Sequence, residues 1–406
     1  MREGWRRVSL GEVAALDIDA VRVEPGRKYP IAGVLSAGQG LFARAPIDGS
    51  QTNYPALHRL RSGQIVMRKL TAWEGPITCV PPEYEGFFVS TEFPTFTLGP
   101  DLLSSYMALA CQRPEFWESM KDRSTGSVQR RKRVSPTELL AIEIDVPSLS
   151  EQRRIVDLMS AVDDAEQAAI GYLRRHDALL RSIVEERVFA KDFQWQPLHS
   201  VALPRGLAGG PFGSSLMTKD FVADGVPVLQ GSNLTGAAPF ISGPFKFVSP
   251  EKASTLSNNL AEPGDVVVTQ RGTLGQVALI PDGGYPTYVV SQSQMRLRVD
   301  PSRVSSEFAY LTLSSPRLVA EVVSQKIATA NPHINLGIFS RLTIPVPALA
   351  EQTATVRLAF AVLAQEAAAR SVVESSSRLR SAIIADLLRG DHEIPALYDR
   401  FLAPAS

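Results

Sequence analysis

The sequence predicts an α/β (α+β) protein built from two mixed domains and two long helices, arranged as an approximate twofold repeat. Three observations favour this fold class: a segment that recurs about 200 residues later, a heptad spacing of apolar residues after each copy, and short strand-like runs elsewhere. The expected boundaries are 1–147 for the first mixed domain, 148–192 for the first long helix, 193–347 for the second mixed domain, 348–390 for the second long helix and 391–406 for a C-terminal tail.

The repeat is clearest at the start of each predicted helix. Val146–Gln152 returns as Val346–Gln352 with the same valine, proline, leucine, glutamate and glutamine, and the match keeps its register over roughly 40 residues. A weaker match lies upstream, where Gly63–Val66 corresponds to Gly264–Val267. The chain is therefore two copies of one plan, which predicts an approximate internal twofold axis.

Each repeated segment has the features of a helix start followed by a long apolar stripe. Ser148 and Ser150 are candidate N-caps, and a stripe with a seven-residue spacing runs from Ile155 to Ile183. A helix of about 40 residues spans about 60 Å, which one small domain cannot bury. The favoured partner for each stripe is the other copy, paired antiparallel as a coiled coil; two ordinary core helices of one globule are the alternative.

Strand and helix signals give the mixed domains their α/β character. The segment Ser305–Val323 is predicted to be helical but interrupted near Pro316, because proline lacks the backbone N–H that a helix interior needs. Ser104–Met120 is its counterpart in the first domain, with Pro114 in a similar place. Strand-like runs bounded by turn residues lie in the second domain at Val226–Gln230, Asp265–Thr269, Gln276–Ile280 and Gln294–Val299.

Polar clusters lie between these elements in the second domain. Arginine can make two hydrogen bonds to guanine, asparagine or glutamine can make two to adenine, and a glycine-rich loop lets backbone amides approach a phosphodiester. Turn chemistry is the alternative for any one cluster, but their number in one domain favours nucleic-acid binding. The clusters, rich in Gly, Gln, Asn, Ser and Arg, cover residues 206–215, 230–233, 269–273, 291–294 and 331–335.

The first domain offers cations instead of amides. Arg68 and Lys69 follow a strand-like run, and they are expected to correspond to the polar cluster around Arg271. Residues 123–133 contain five cations and no acid, together with glycine, serine and glutamine. This composition favours phosphate binding over the alternative of a solvated charged surface.

Composition limits the kind of protein and the compartment. The 406 residues carry 42 basic and 42 acidic side chains, a balance that by itself argues against nucleic-acid binding unless the cations are clustered. Cys79 and Cys111 are the only cysteines and the five histidines never pair at ligand spacing, so neither a disulfide framework nor a metal site is expected. No apolar run suits a signal peptide or a membrane span, so a cytoplasmic protein without membrane contact is expected.

Catalytic motifs are missing from the sequence. Adenine methyltransferases carry an Asn/Asp-Pro-Pro-Tyr/Phe motif, and the nearest string, Asn331–Ile334, departs from it at the third and fourth positions. There is also no Walker motif, no Gly-x-Ser-x-Gly elbow and no nuclease-type acid-x-Lys triplet after Pro281-Asp282. The sequence therefore predicts a protein that binds and does not catalyse.

Taken together, the two variable domains, each followed by a proline-led Leu-x-Glu-Gln segment and a long helix, resemble the specificity subunit of type I restriction-modification systems. The second domain resembles it more closely, through Gly210–Ser214, Pro263–Val267, Ser291–Met295 and Pro332–Leu336. The first domain departs from the pattern: it lacks the Gly-Pro-Phe-Gly-Ser loop and has Ser90–Phe93 in place of the Ser-Gln-Ser-Gln string.

The resemblance implies a division of labour among subunits. Each mixed domain would be a target recognition domain that reads one half of a split sequence in double-stranded DNA, and the paired helices would fix the gap. The helices would also dock two methyltransferase subunits, which bind S-adenosylmethionine and methylate adenine. Two restriction subunits, where present, would cleave DNA using ATP. This chain itself would bind neither cofactor.

The residues expected to contact DNA follow from the polar clusters and the resemblance. In the second domain they are Gly213, Ser214, Asn233, Arg271, Gln292, Gln294 and His333. In the first domain, mainly as phosphate contacts, they are Arg68, Lys69, Arg130, Arg131 and Arg133. Two other functions fit the same sequence: target recognition for another DNA-modification or phage-defence system, and a coiled-coil scaffold whose domains bind protein.

Overall fold

The computed structural model describes residues 4–125, 132–190, 192–235, 239–327 and 332–400, and it divides into two compact units. Unit 1 comprises Met1–Gln167 and Ser375–Ser406, and unit 2 comprises Ala168–Glu374. Each unit therefore contains one mixed domain and a part of both long helices. The domains expected from the sequence are continuous segments of the chain. The units instead group residues that pack together, and unit 1 combines two separate segments.

Unit 1 is built on an antiparallel four-stranded sheet, a mixed five-stranded sheet and a strand pair. Its strands form a pair β1-β11, a four-stranded sheet in the order β2-β10-β7-β8 and a five-stranded sheet in the order β3-β6-β9-β4-β5. The strands are β1 (Arg6–Ser9), β2 (Ala14–Leu16), β3 (Asp19–Arg22), β4 (Lys28–Val34), β5 (Leu41–Asp48), β6 (Ala56–Arg59), β7 (Ile65–Met67), β8 (Ile77–Cys79), β9 (Phe88–Val89), β10 (Thr95–Leu98) and β11 (Glu143–Val146).

Short helices cover the four-stranded sheet of unit 1, and their apolar faces form one core with Phe96, Met107 and Leu139. The predicted interruption at Pro114 is confirmed, because one helix ends at Ala110 and the next begins at Pro114. The helices are α1 (Leu10–Val13), α2 (Ser104–Ala110), α3 (Pro114–Asp122), α4 (Pro136–Leu140) and the first part of the long helix α5 (Leu149–Val184).

Unit 2 repeats this plan. Its strands form a pair β12-β22, a four-stranded sheet in the order β13-β21-β18-β19 and a five-stranded sheet in the order β14-β16-β15-β20-β17. The strands predicted around residues 226–230, 265–269, 276–280 and 294–299 are confirmed as β15, β18, β19 and β21. The strands are β12 (Trp195–Pro197), β13 (Ala202–Gly209), β14 (Phe221–Val222), β15 (Val226–Leu229), β16 (Lys246–Val248), β17 (Leu260–Ala261), β18 (Val266–Thr269), β19 (Val277–Leu279), β20 (Tyr288–Val290), β21 (Gln294–Val299) and β22 (Thr343–Pro345).

The helices of unit 2 pack on its sheets as those of unit 1 do. The predicted break is again confirmed, since α9 begins at Pro316 and the Ser315 hydroxyl caps its first turn. The helices are α6 (Leu198–Val201), α7 (Pro250–Thr255), α8 (Ser306–Leu313), α9 (Pro316–Ser324), α10 (Leu336–Arg341), the second part of α5 and the first part of the long helix α11 (Leu349–Arg389). A π-helical turn, Glu185–Phe189, continues α5 at its C-terminal end.

The two long helices contact each other within each unit, and later residues of one contact earlier residues of the other. In unit 1 the Asp163 carboxylate pairs with Arg380, and Ile155 shares a core with Leu387. In unit 2 the His176 Nε2 lies 3.1 Å from Gln365 Oε1, and Ile183 shares a core with Ala359, Val362 and Leu363. Inside each unit the helices therefore run antiparallel.

Burial along the long helices is concentrated near their ends. No residue is buried between 160 and 182 of α5 or between 367 and 383 of α11. Leu179 and Leu379, which occupy matching places in the two copies, are 48% and 59% exposed. A pair of helices can bury only the seam between them, so these leucines stay on the surface.

The repeated glutamine explains why each helix starts where it does. Gln152 is fully buried; its amide nitrogen donates to Asp101 O (2.8 Å) and Pro147 O (2.9 Å), and its amide oxygen accepts from Leu103 N (2.8 Å). Gln352 makes the same three bonds, to the carbonyl oxygens of Arg303 (2.8 Å) and Pro347 (2.9 Å) and from Ser305 N (2.9 Å). Each glutamine therefore fastens a long helix to the loop that leads into α2 or α8.

The described part of the C-terminal segment is packed and not a free tail. Ile394 belongs to the core of unit 1, and its carbonyl accepts from Arg154 Nη1 at 3.0 Å. The Tyr398 hydroxyl donates to Asp157 Oδ2 at 3.0 Å. Residues through Tyr398 therefore cover the first turns of α5.

Candidate nucleic-acid interface

A cleft of about 240 Å³ in unit 2 brings together four of the five polar clusters found in the sequence. Its walls are Gly209–Gly213, Gln270 with Arg271, Gln292, and His333–Leu336. The remaining cluster, 230–233, does not line the cleft. Among the expected contact residues, Gly213, Arg271, Gln292 and His333 are thus brought together.

The four-stranded sheet of unit 2 explains why residues distant in sequence meet here. β18 and β21 are antiparallel with Thr269 opposite Gln294, and β13 ends at Gly209 beside the same end of β21. The loops that follow β13 and β18 and precede β21 therefore share one edge of the sheet. A backbone bridge between Arg271 and His333 brings the fourth segment to that edge.

The backbone of Arg271 is held by its neighbours, whereas its side chain has no hydrogen-bond partner among the described residues. Its N–H donates to Ser293 O at 3.3 Å, and the bridge to His333 holds it from the other side. The side chain is exposed, and its guanidinium makes no hydrogen bond or ion pair with any residue that the structure describes. A guanidinium offers five donors in a plane, so Arg271 can bind a phosphate or the edge of a guanine.

Two other arginines of the sheet make hydrogen bonds within the domain. Arg296 is buried and donates to the carbonyls of Leu260 (2.6 Å) and Arg205 (2.5 Å), and burial lowers its pKa from the usual value. Arg298 makes two hydrogen bonds to the buried Asp265 carboxylate, at 2.7 and 2.8 Å, and these raise its pKa. Neither guanidinium is available as Arg271 is.

The glycine-rich loop after β13 is held against the cleft by close backbone approach. A Cβ on Gly210 would lie 1.8 Å from Ser291 O, so no larger residue fits there without a backbone shift. Gly213 has φ +58°, a left-handed conformation that favours glycine. Gln292 Nε2 donates to Gly213 O at 2.6 Å. Ser214 is exposed in the same loop.

Asn233 and Gln294 are buried, with 1% and 0% of their surface exposed. Asn233 Nδ2 donates to Ser242 O (2.7 Å) and Pro244 O (3.0 Å), and its Oδ1 accepts from Gln230 N (2.9 Å). With its amide nitrogen toward Leu229 O (3.1 Å), Gln294 accepts from Gly231 N (3.0 Å). A base contact from either amide would require these internal hydrogen bonds to break.

Unit 1 has the same backbone arrangement with different side chains. Leu70 bridges Arg133 just as Arg271 bridges His333. Lys69 N donates to Glu92 O at 3.0 Å, as Gln270 N donates to Ser293 O. Lys69 thus occupies the position of Gln270 in the cluster 269–273, and Leu70 occupies the position of Arg271.

Two of the cations expected to contact DNA in unit 1, Arg68 and Arg133, lie close to acids. Arg68 donates to Leu70 O (3.0 Å), Thr71 Oγ1 (2.7 Å) and Glu74 Oε2 (3.0 Å). Arg133 is exposed and its Nε lies 3.3 Å from Glu92 Oε2. Lys69 is half-buried. Arg130 and Arg131 lie outside the described residues.

Two exposed sites were not predicted from the sequence. Phe212 stands on the cleft of unit 2 and is 89% exposed. In unit 1 a second cleft, of about 480 Å³, is lined by Arg44, Tyr54 and Ser90 among others, and Arg44 makes no ion pair with a described residue. An apolar residue inside a glycine-rich loop was the available signal for Phe212; for Arg44 the sequence carries none.

Other kinds of site find no support in the described residues. No three His, Cys, Asp or Glu side chains there lie close enough to hold a metal ion. Burial raises the pKa of the Cys79 thiol to about 12, which leaves it without nucleophilic thiolate. No helix in these parts of the chain has the length and apolarity needed to span a bilayer.

Part of the chain, including most of the residues that line the cleft, matches a known protein family. Residues 225–365 match the model of the family described as type I restriction modification DNA specificity domain. Over these residues the chain is similar to the specificity domain of type I restriction-modification systems. No curated protein matches it.

The structural matches extend the similarity to the whole chain. A chain from a study of complex assembly and conformational transition of the type I R-M system is 19% identical, with a TM-score of 0.61, and covers 97% of this chain and 99% of that one. The type I S subunit from M. genitalium is 13% identical, with a TM-score of 0.56, and covers 96% and 97%. At these identities the matches show the fold.

A third match is the HsdS subunit from Thermoanaerobacter tengcongensis, 22% identical over 97% of this chain and 98% of that one, with a TM-score of 0.47. The fold assignment rests on the other two structures. The family match confirms the resemblance to a type I specificity subunit over residues 225–365, and the two structures show the same fold along the chain.

Proposed function

We propose that this chain reads a bipartite sequence in double-stranded DNA and directs methyltransferase subunits to it. The cleft of unit 2 carries the proposal, because an exposed arginine and amide side chains from the residues that match the specificity domain converge with a glycine-rich loop on one edge of a sheet. Arginine and amide side chains are the groups that distinguish base edges in the major groove.

Two half-sites follow from two units with the same backbone plan. The cleft at Arg271 would read one half-site. The equivalent edge of unit 1, with Lys69 and Arg133, would contact the other half-site mainly through phosphates, together with Arg44. Different side chains at matching places predict that the two half-sites have different sequences.

Asn233 and Gln294 are proposed to support the interface from within. Their amides hold the 230–233 turn and the start of β21, so they fix where the reading loops lie. Gln292 has an intermediate role, since its amide nitrogen holds the loop at Gly213 while its side chain lines the cleft.

The long helices are proposed to set the gap between half-sites and to dock two methyltransferase subunits. Leu179 and Leu379 are exposed apolar residues at matching places in the two copies, as two identical partners would require. S-adenosylmethionine and, where restriction subunits join, ATP are assigned to the partner subunits, and this chain to a non-catalytic role in the cytoplasm.

A map of N6-methyladenine tests the proposal. DNA from cells that express this chain with its methyltransferase subunits is compared with DNA from cells that lack this chain. We expect a split motif with a fixed gap that disappears without the chain. Unchanged methylation from an active methyltransferase would refute the proposal and favour a protein-binding scaffold.

A further inference from the structure

Phe212 is far more exposed than the other large apolar side chains that the structure describes. It is 89% exposed, whereas the next most exposed, Leu379 and Leu397, reach 59%. A phenylalanine ring is stabilised when it is removed from water. A ring held in solvent therefore loses stabilisation that a bound ligand can supply.

The loop presents Phe212 in one fixed place. On its N-terminal side Gly210 N donates to Gln294 O (3.0 Å), and Asn259 Nδ2 donates to Gly209 O (2.7 Å). On its C-terminal side Gln292 holds Gly213, whose positive φ turns the chain back. The ring thus projects from a backbone that is anchored on both sides.

The surroundings of Phe212 identify the chemistry of its partner. It lines the same cleft as Arg271, Gln270, Gln292 and His333. A cation without an internal partner, next to amides and a free aromatic ring, fits a polyanion with flat aromatic bases better than an apolar protein pocket.

We propose that Phe212 is a wedge that inserts its ring at a base step in the half-site bound by unit 2 and unstacks that step. Apolar side chains of other DNA-binding proteins enter base steps in this way, and the larger protein surface that the distorted duplex covers offsets the cost of unstacking. The inference rests on the proposed function and adds a specificity-determining residue to it. Steps that unstack easily, such as TA or CA/TG, are expected at that place.

Unit 1 supplies an internal control. It has no Gly-Pro-Phe-Gly-Ser loop in its sequence. Unstacking by an inserted phenylalanine ring is therefore expected only in the half-site bound by unit 2.

The test uses the full chain assembled with its methyltransferase subunits, and a duplex carrying the target from the methylation map. 2-Aminopurine, whose fluorescence rises when it is unstacked, is placed in turn at each step of both half-sites. Wild type is compared with Phe212→Ala, Phe212→Leu and the matched control Val222→Ala, which shortens another exposed apolar side chain of unit 2 that does not line the cleft.

We expect wild type to raise the fluorescence at one step of one half-site, and Phe212→Ala to abolish that rise and weaken binding about ten-fold. Phe212→Leu should keep part of the rise, and Val222→Ala all of it. Because Phe212 contributes almost no packing, the Ala variant should unfold at the temperature of wild type.

The outcomes separate the inference from the proposed function. If Phe212→Ala binds the duplex and distorts it as wild type does, the wedge is refuted while DNA reading stands. If the wild-type assembly binds no duplex more tightly than any other, both the wedge and the proposed function are refuted. Loss of methyltransferase assembly in Phe212→Ala, with no fluorescence rise in wild type, would assign the ring to a protein partner and overturn the wedge.

Discussion

Arg271 and Gln292 line the same cleft but differ in their freedom to bind a ligand. The amide nitrogen of Gln292 donates a hydrogen bond to Gly213 O, whereas the guanidinium of Arg271 makes no hydrogen bond to a residue that the structure describes. Both were expected from the sequence as contact residues. Only the tertiary contacts distinguish the side chain that can read a base from the one that also holds the loop.

Replacing Arg271 with alanine should relax recognition at one position of the target. If the guanidinium reads a guanine edge, the loss is about 1–3 kcal/mol on the cognate duplex and much less on a duplex altered at that base pair. The measurement is binding of the assembled complex to both duplexes at several salt concentrations.

The matched control for this prediction is Arg341→Ala, which removes another exposed arginine of unit 2 that does not line the cleft. It should leave discrimination unchanged. An equal loss on every duplex in Arg271→Ala, with a salt slope smaller by about 1, would make Arg271 a phosphate contact and contradict base reading.

Asn233 shows the limit of arguing from residue type. Asparagine in a polar cluster is the right chemistry for adenine, and the sequence expectation rests on that. Its amide is instead saturated by Gln230, Ser242 and Pro244 inside the domain. Burial depends on which loops fold over a side chain, and a cluster of polar letters does not carry that information.

At the level of elements, the junction between each long helix and its domain depends on one buried glutamine. The sequence marks the junction by repeating Val-Pro-x-Leu-x-Glu-Gln, and the structure gives the reason: each buried glutamine hydrogen-bonds one N–H and two carbonyls, of which the proline carbonyl is buried. The repeat is thus a hydrogen-bonding requirement that appears twice.

Replacing Gln352 with alanine should destabilise unit 2 by roughly 2–4 kcal/mol, because Ser305 N and two carbonyls lose their partner in a buried place. Gln152→Ala should cost a similar amount in unit 1. Urea unfolding followed by circular dichroism measures both.

Gln167→Ala, which changes an exposed glutamine on α5, is the matched control and should change stability by less than about 0.5 kcal/mol. Gln352→Glu keeps the length of the side chain but loses the donors, so it should resemble the alanine variant. A loss in Gln352→Ala no larger than in the control would contradict the role of the buried glutamine.

At the level of the whole molecule, the neutral net charge is compatible with the proposal that partner subunits share the contact with DNA. A chain with 42 basic and 42 acidic residues cannot depend on overall charge to hold DNA. Local cations such as Arg271 can position it, and partner subunits would complete the positive surface around the duplex.

Lengthening both long helices by one turn should lengthen the gap between half-sites. Four helical residues inserted after Ala169 and four after Val372 add about 6 Å, which corresponds to about two base pairs at 3.4 Å each. The methylation map of the variant gives the new gap directly.

The same four residues inserted between Gly283 and Gly284, in an exposed turn of unit 2, form the control and should leave the gap unchanged. The half-site sequences should stay the same in both variants. A gap unchanged by the paired insertion would contradict the ruler.

The sequence by itself determined the repeat, the long helices, the break at Pro316 and the family resemblance, because these depend on local spacing that is written along the chain. It also placed four polar clusters that meet in one cleft. Only the tertiary structure decided which clustered side chains are exposed: the antiparallel pairing of β18 with β21 places Thr269 opposite Gln294, which is buried, and a separate backbone bridge joins Arg271 to His333. The same folding puts Leu70 at the position that Arg271 occupies in unit 2, and it leaves Phe212 in solvent, since exposure depends on contacts between residues far apart in the chain.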